Sequence, residues 1–428
     1  MTSRKWRTPQ EGTSYASLPA WRRFLTDFRS VLREGKSVLK ESSSALLLSV
    51  AADLTVGIAL VGFASLLLDF PGTLIMVPGA LAARGNVYAT LASRLSTALH
   101  LGEVEPSLRM NRWLRENIRV SLVQTLTISA ALAVFARAAA LLLDLPSLSL
   151  LELLFISLVG TIISAAVLLG GTSLITLGSF RRGWDPDNIS SPLITTIGDF
   201  ITLPSMVAAV YLLIHLRGTL AHGVAVVLGL SVLFLLLDTL RRRGSSAEEV
   251  LSQSLHVLLV CALISIVTGT LLSARAESLI GYSIFLLLLP LLNGQSGNLG
   301  SILSSRLSTA YYLGLTSLKR RMDRFSRREA ALIILLSFIV FPLAGVIALS
   351  LSTIYPLTHP GIPLTAALIV LIGFLLGVEA SLLSYNLSHM AVRFSLNPDN
   401  VVIPLLTTLM DLAVMGTLLV ILSVAGLI

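Results

Sequence analysis

The sequence predicts an all-α polytopic membrane protein, and three observations carry that prediction. The 428-residue chain is 54% hydrophobic and 13% charged, with a mean hydropathy of +0.86, whereas a soluble domain carries about 25% charged residues. Apolar runs of the roughly 20 residues needed to cross a bilayer recur from residue 45 to the end of the chain. They do not alternate with period two, as membrane-barrel strands would. The charges, +8 net, gather in short clusters between these runs. Orientation signals lie there, and such scatter excludes a nucleic-acid-binding face.

Taken in order, residues 1–44 are a basic N-terminal segment. Trp21, Phe24, Leu25, Phe28, Val31 and Leu32 recur at helical spacing among Arg22, Arg23, Arg29, Arg33, Lys36 and Lys40. A helix lying on the membrane surface fits this pattern; one docked on a soluble partner is the alternative. Spans follow at 45–68, 72–99, 118–143, 148–178, 190–215, 219–240, 252–273, 279–312, 330–353, 363–391 and 402–427. Cys261, the one cysteine, lies in an apolar run, which leaves no disulfide or Cys-based metal site. No cleavable signal peptide is visible.

The chain matches itself at an offset of 212 residues. Pro78 falls on Pro290, Gly85-Asn86 on Gly297-Asn298, and Leu91-Ala-Ser-Arg-Leu-Ser-Thr-Ala98 on Leu303-Ser-Ser-Arg-Leu-Ser-Thr-Ala310. Further on, Pro186-Asp187-Asn188 falls on Pro398-Asp399-Asn400. Pro192, Thr195, Thr196 and Asp199 fall on Pro404, Thr407, Thr408 and Asp411. Such a match is the signature of an internal repeat. The expected units are a repeat at 45–216, a linking transmembrane helix at 217–251 and a second repeat at 252–428. Five spans per repeat would invert the second copy, and the linking helix restores its direction. The repeats are therefore expected to be parallel, related by an axis along the membrane normal. With the N-terminus inside, 25 of the 31 Lys and Arg residues fall in cytoplasmic segments. This bias predicts a cytoplasmic N-terminus and a C-terminus outside the cell membrane.

Ionisable groups within a bilayer are costly and mark a pathway or a pair. Asp199 and Asp411 each lie about two turns beyond a proline, on one helical face with Thr195 or Thr196 and with Thr407 or Thr408. A two-fold relation would bring these faces together as an all-oxygen site of charge −2. Such a site suits Mg²⁺, which keeps several waters and needs only one or two carboxylates. The alternative is that each Asp merely ties two helices together. Gly85-Asn86 and Gly297-Asn298 sit mid-span among small residues, either lining a path with freed carbonyls or packing helices closely. Asp187 and Asp399, with Asp185, either attract cations at the cytoplasmic mouth or cap helices. Arg94 and Arg306 are expected to snorkel. Arg84 would repel a cation, and Ser296 replaces it in the other repeat. Asp53 and Glu379 are unrepeated, with Ser265 and Val167 at the equivalent positions; structural pairing and a coupling ion are both open for them.

At these residues the sequence resembles the membrane domain of the MgtE-type magnesium transporters and their eukaryotic solute-carrier relatives. The shared elements are Gly85-Asn86, Leu91–Ala98, Asp185-Pro186, Pro192–Thr196 and Asp199, and again Gly297-Asn298, Leu303–Ala310, Pro404–Thr408 and Asp411. The likeness implies that two copies, separate subunits in the bacterial proteins, are fused around one pore in a monomer acting as an internal pseudo-dimer. It also implies Mg²⁺ at Asp199 and Asp411 with help from Gly85, Asn86, Gly297 and Asn298. Asn397 departs from the pattern where Asp is expected, and no regulatory CBS domains are present. The expected function is transport of Mg²⁺, with Mn²⁺ and Co²⁺ as alternatives, driven by an ion gradient or the membrane potential. No phosphate-binding loop or nucleophile constellation suggests an enzyme. A non-transporting membrane scaffold or receptor is the rival reading.

Overall fold

A computed structural model describes residues 49–428 apart from 101, 108–109, 183–185, 217, 242–245, 313, 315, 318–321 and 395–397. The basic N-terminal segment and its expected surface helix lie outside the described residues. The helices are α1 (Ser49–Asp69), α2 (Thr73–His100), α3 (Arg112–Leu142), α4 (Leu150–Arg181), α5 (Pro186–His215), α6 (Gly218–Arg241), α7 (Ser246–Ala274), α8 (Ala276–Gly281), α9 (Ser283–Tyr312), α10 (Arg324–Leu351), α11 (Ile362–Arg393) and α12 (Pro398–Val424). Among the described residues there is no strand. Each of the eleven expected spans corresponds to one long helix. Nine of these are long and apolar enough to cross a membrane. The other two, α2 and α9, have 28 and 30 residues and are diluted by their Gly-Asn stretches.

Several helices outrun the apolar windows, because their first turns are polar and capped. Helix α3 begins at Arg112, not 118, since the Asn111 side chain accepts a 2.7 Å hydrogen bond from the Leu114 amide. Asp323, its equivalent 212 residues on, accepts a 2.8 Å bond from the Ser326 amide at the start of α10. Partial burial opposes charge on Asp323, but bonds from Thr316 and Ser326 prevail and hold its carboxyl below the usual range. At 1.5 Å per residue a 31-residue α3 is about 46 Å long, the depth of a bilayer with its headgroups. The expected run 279–312 is split at Tyr282. There Ser283 and Thr358 exchange 2.9 Å amide-to-hydroxyl bonds that end α8 and start α9 in a new direction.

The core runs through α2 and α9. Helix α2 packs on α5, α7, α3 and α4, and α9 packs on α12, α11 and α10. Helix α7, the first of the second repeat, packs on α2, α3 and α12. Helix α1 in turn lies against α9. A Cβ on Gly57 would stand 1.9 Å from the Leu287 carbonyl oxygen, and one on Gly269 1.9 Å from that of Ile75. Both members of the second contact lie 212 residues from those of the first. Helix α6 packs on α4 and α3 and pairs Asp238 with Arg119, while Leu230, Phe234 and Leu237 on its other side are exposed, as suits a lipid-facing surface.

These two glycines make a test of the packing. Nothing within 4 Å obstructs a Cβ at Gly62, on the same helix as Gly57. Gly57→Ala and Gly269→Ala each cost about 1–3 kcal/mol through overpacking, whereas Gly62→Ala stabilises by up to about 1 kcal/mol through helix propensity. Thermal melts of the detergent-solubilised protein check this, with the midpoint falling for the first two and holding or rising for the third.

The two arginines expected to snorkel have contacts on neighbouring helices. Arg306 pairs with Glu329 on α10 at 2.6 Å, and Glu329 is 1% exposed. Arg94 contacts Ser121 on α3 and the Thr90 carbonyl, both at 3.4 Å. The Arg306 pair is the stronger of the two, and Arg94 keeps one buried nitrogen without a partner.

Candidate functional site

The glycines and threonines of the repeated motif bring α2 to α5 and α9 to α12 at matching points. With no side chain, Gly85 lets α5 approach until a Cβ there would sit 3.2 Å from the Thr195 methyl; at Gly297 the same distance to the Thr407 methyl is 3.4 Å. Asp199 and Asp411 follow one turn later on α5 and α12, both half-buried. They lie within electrostatic range of each other.

The hydroxyl protons around Asp411 are committed to backbone. Thr408 donates to the Pro404 carbonyl at 2.8 Å, and Thr407 to the carbonyls of Ile403 and Pro404 at 3.1 Å. Among the described residues no three His, Cys, Asp or Glu side chains gather as a ligand set.

The two Asn residues have unlike surroundings. The Asn298 amide donates to Ser49 of α1 at 3.2 Å, and Gln295 donates to Ser49 at 2.6 Å and to Asp53 at 2.8 Å. Ser49 also donates to Asp53, at 3.4 Å. Asp53 is 4% exposed, and a Cβ on Gly294 would meet its carboxylate at 2.7 Å. The equivalent place in the other half holds Asn86, Cys261, Ser265 and Ala83 around a cavity of about 10 Å³, and the buried Asn86 amide nitrogen has no partner there. Neither Gln295 nor Ser49 stood out in the sequence; the polar run Asn293-Gly-Gln-Ser296 in an apolar span was the available signal.

Asp199 also lies within electrostatic range of Arg84 and of Asp53. Glu379 accepts a 2.8 Å bond from Thr417 that ties α11 to α12, and its second oxygen has no partner. Asp187 and Asp399 fall in the first turns of α5 and α12, but their side chains, and the whole of Asp185, lie outside the described residues.

A family model described as MgtE, divalent cation transporter, matches residues 77–209 and 289–421, the same 212-residue offset, and together these cover more than half of the chain. Solute carrier family 41 member 2 of Xenopus laevis is 29% identical over 54% of the chain and 42% of its own length. Member 3 of Rattus norvegicus is 28% identical over 77% of the chain and 74% of its own length. Member 2 of Mus musculus is 27% identical over 80% and 62% respectively. The chain thus spans less than two thirds of the length of two of these three relatives. No solved structure matches it.

Proposed function

Because the chain belongs to the MgtE family of divalent cation transporters, we propose that it carries Mg²⁺ across the cell membrane between its two repeats, past paired carboxylates at Asp199 and Asp411. The observation that carries this reading is the recurrence of one constellation, Gly85 on Thr195 beside Asp199 and Gly297 on Thr407 beside Asp411. The two carboxylates sit within electrostatic range of one another inside an apolar bundle. Two half-buried carboxylates, with no cluster of three acidic side chains among the described residues, match a divalent ion that sheds only part of its hydration shell.

In this reading the repeats at 45–216 and 252–428 are parallel, the helix at 217–251 restores direction, and the N-terminus is cytoplasmic. The chain acts as a monomer, because each half supplies one carboxylate. Backbone at Gly85, Asn86, Gly297 and Asn298, with Thr195, Thr196, Thr407 and Thr408, completes the ion's surroundings. Asp187 and Asp399 raise local cation concentration at the cytoplasmic mouth. Mn²⁺ and Co²⁺ share the oxygen chemistry and are expected to compete.

Reconstitution tests this directly. Proteoliposomes loaded with a Mg²⁺-sensitive dye are expected to take up Mg²⁺ faster than protein-free vesicles, and excess Mn²⁺ to slow that uptake. No flux under either polarity of membrane potential, with Na⁺ or a proton gradient supplied on each side in turn, would overturn the proposal.

A further inference from the structure

The site is flanked by two charges that only one side possesses. Arg84 on α2 is 2% exposed, and its equivalent in the second repeat is Ser296. Asp53 on α1 is equivalent to Ser265 on α7. Both are within electrostatic range of Asp199.

Arg84 is held by groups that leave its charge uncancelled. It donates to the Ser164 hydroxyl at 2.8 Å, the Thr161 hydroxyl at 3.0 Å and the Ala80 carbonyl at 2.8 Å. Thr161 in turn donates to Ser129 and to the Ser157 carbonyl, each at 2.6 Å. The equivalents of Ser129, Ser157, Thr161 and Ser164 are Phe341, Ile369, Gly373 and Leu376. Phe341 fills that space, packing so closely on Gly373 that a Cβ there would be 2.5 Å away. One half has thus built a polar cage for a guanidinium where the other half has an apolar plug. Asp53 is likewise built in, for one of its oxygens accepts from both Gln295 and Ser49.

We infer that Arg84 and Asp53 are a compensating pair of fixed charges that sets how tightly the site holds its divalent ion. The inference rests on the paired-carboxylate reading above. With both present, the four groups Asp199, Asp411, Asp53 and Arg84 in their ionised forms carry two negative charges, which one divalent cation cancels. Removing Arg84 leaves three, so the ion binds more tightly and leaves more slowly. Removing Asp53 leaves one, and the ion binds weakly. In a low-dielectric interior neither excess is screened by water.

The test is a charge cycle read as half-saturation and maximal rate of Mg²⁺ uptake in proteoliposomes. Arg84→Gln, whose amide takes the place of Nε beside the Ser164 hydroxyl, is expected to lower the half-saturating concentration at least about tenfold and to lower the maximal rate. Asp53→Asn is expected to raise half-saturation by a similar factor. Arg84→Gln with Asp53→Asn returns it towards the wild-type value, and Arg84→Lys keeps it there. A merely structural Arg84 would not be rescued by removing a carboxylate from another helix. Unchanged half-saturation in either single variant, or a double variant no closer to wild type than the singles, overturns the inference. If Arg84→Gln fails to fold, Asp53→Asn alone decides, because a half-saturation that does not rise refutes the pair. Flux that persists in Asp199→Asn with Asp411→Asn would instead sink the underlying site.

Discussion

Asp199→Asn combined with Asp411→Asn abolishes Mg²⁺ flux in proteoliposomes while leaving the melting temperature of the purified protein within a few degrees of wild type. Asn keeps the shape and hydrogen-bonding reach of Asp and removes only the charge. A unit charge about 4 Å from a cation is worth about 4 kcal/mol per cation charge at an effective dielectric constant of 20, so each carboxylate is worth at least a thousandfold in occupancy. Either single variant retains weak flux, since one carboxylate still faces the path, and the double variant falls to the level of empty vesicles. Both carboxylates are half-buried in an apolar bundle, so their neutralisation relieves a desolvation cost and does not threaten folding. Undiminished flux in the double variant would place the ion elsewhere, with Asp53 and Glu379 the next carboxylates to replace.

Arg306→Met destabilises the protein by about 3 kcal/mol. The substitution leaves Glu329, 1% exposed, without the guanidinium that contacts it at 2.6 Å. Arg328, which approaches the other oxygen only to 3.8 Å, cannot replace that bond. Stranding one member of a buried pair costs far more than removing both. Arg306→Met with Glu329→Met therefore recovers most of the loss. The first repeat keeps the arginine, Arg94, but has Asn117 at the position of Glu329, where it donates to the Trp113 carbonyl at 3.0 Å, so a buried acid is not required at this place in the fold. Thermal unfolding in detergent separates the cases. A single variant as stable as the double would show that the pair contributes little.

The eleven helices, and the duplication that orders them, were legible because hydropathy and a 212-residue self-match record burial and ancestry directly. Asp199 and Asp411 were legible for a related reason, as acidic residues repeated inside apolar runs. Partners were harder to see. Nothing in the apolar run around Gly57 says that it meets Leu287, because close approach through a glycine leaves the same signature whichever backbone arrives. Gln295 escaped notice because an amide carries no charge to mark it, although it positions Asp53. The partner of Arg306 was hidden because Glu329 lies in the first turns of the next helix, and only the packing of α9 against α10 brings the two together. The extra turns at the start of α3 were hidden by Arg112, Arg115 and Arg119, which lower the local hydropathy while Asn111 caps the helix.

The lodging of α1 against α9 and of α7 against α2 bears on how the protein is made. On the ribosome, Gly57 emerges long before Leu287, some 230 residues earlier, which at 5–20 residues per second is roughly ten to fifty seconds. For that interval α1 has inserted with its contact face, and the carboxylate of Asp53, turned to whatever the translocon or lipid offers. The first half therefore cannot complete its own core when its synthesis ends. It waits, clasped only when α7 and α9 arrive, so that a ribosome stalled in the linking helix leaves an unfinished five-helix intermediate for the membrane's quality-control proteases.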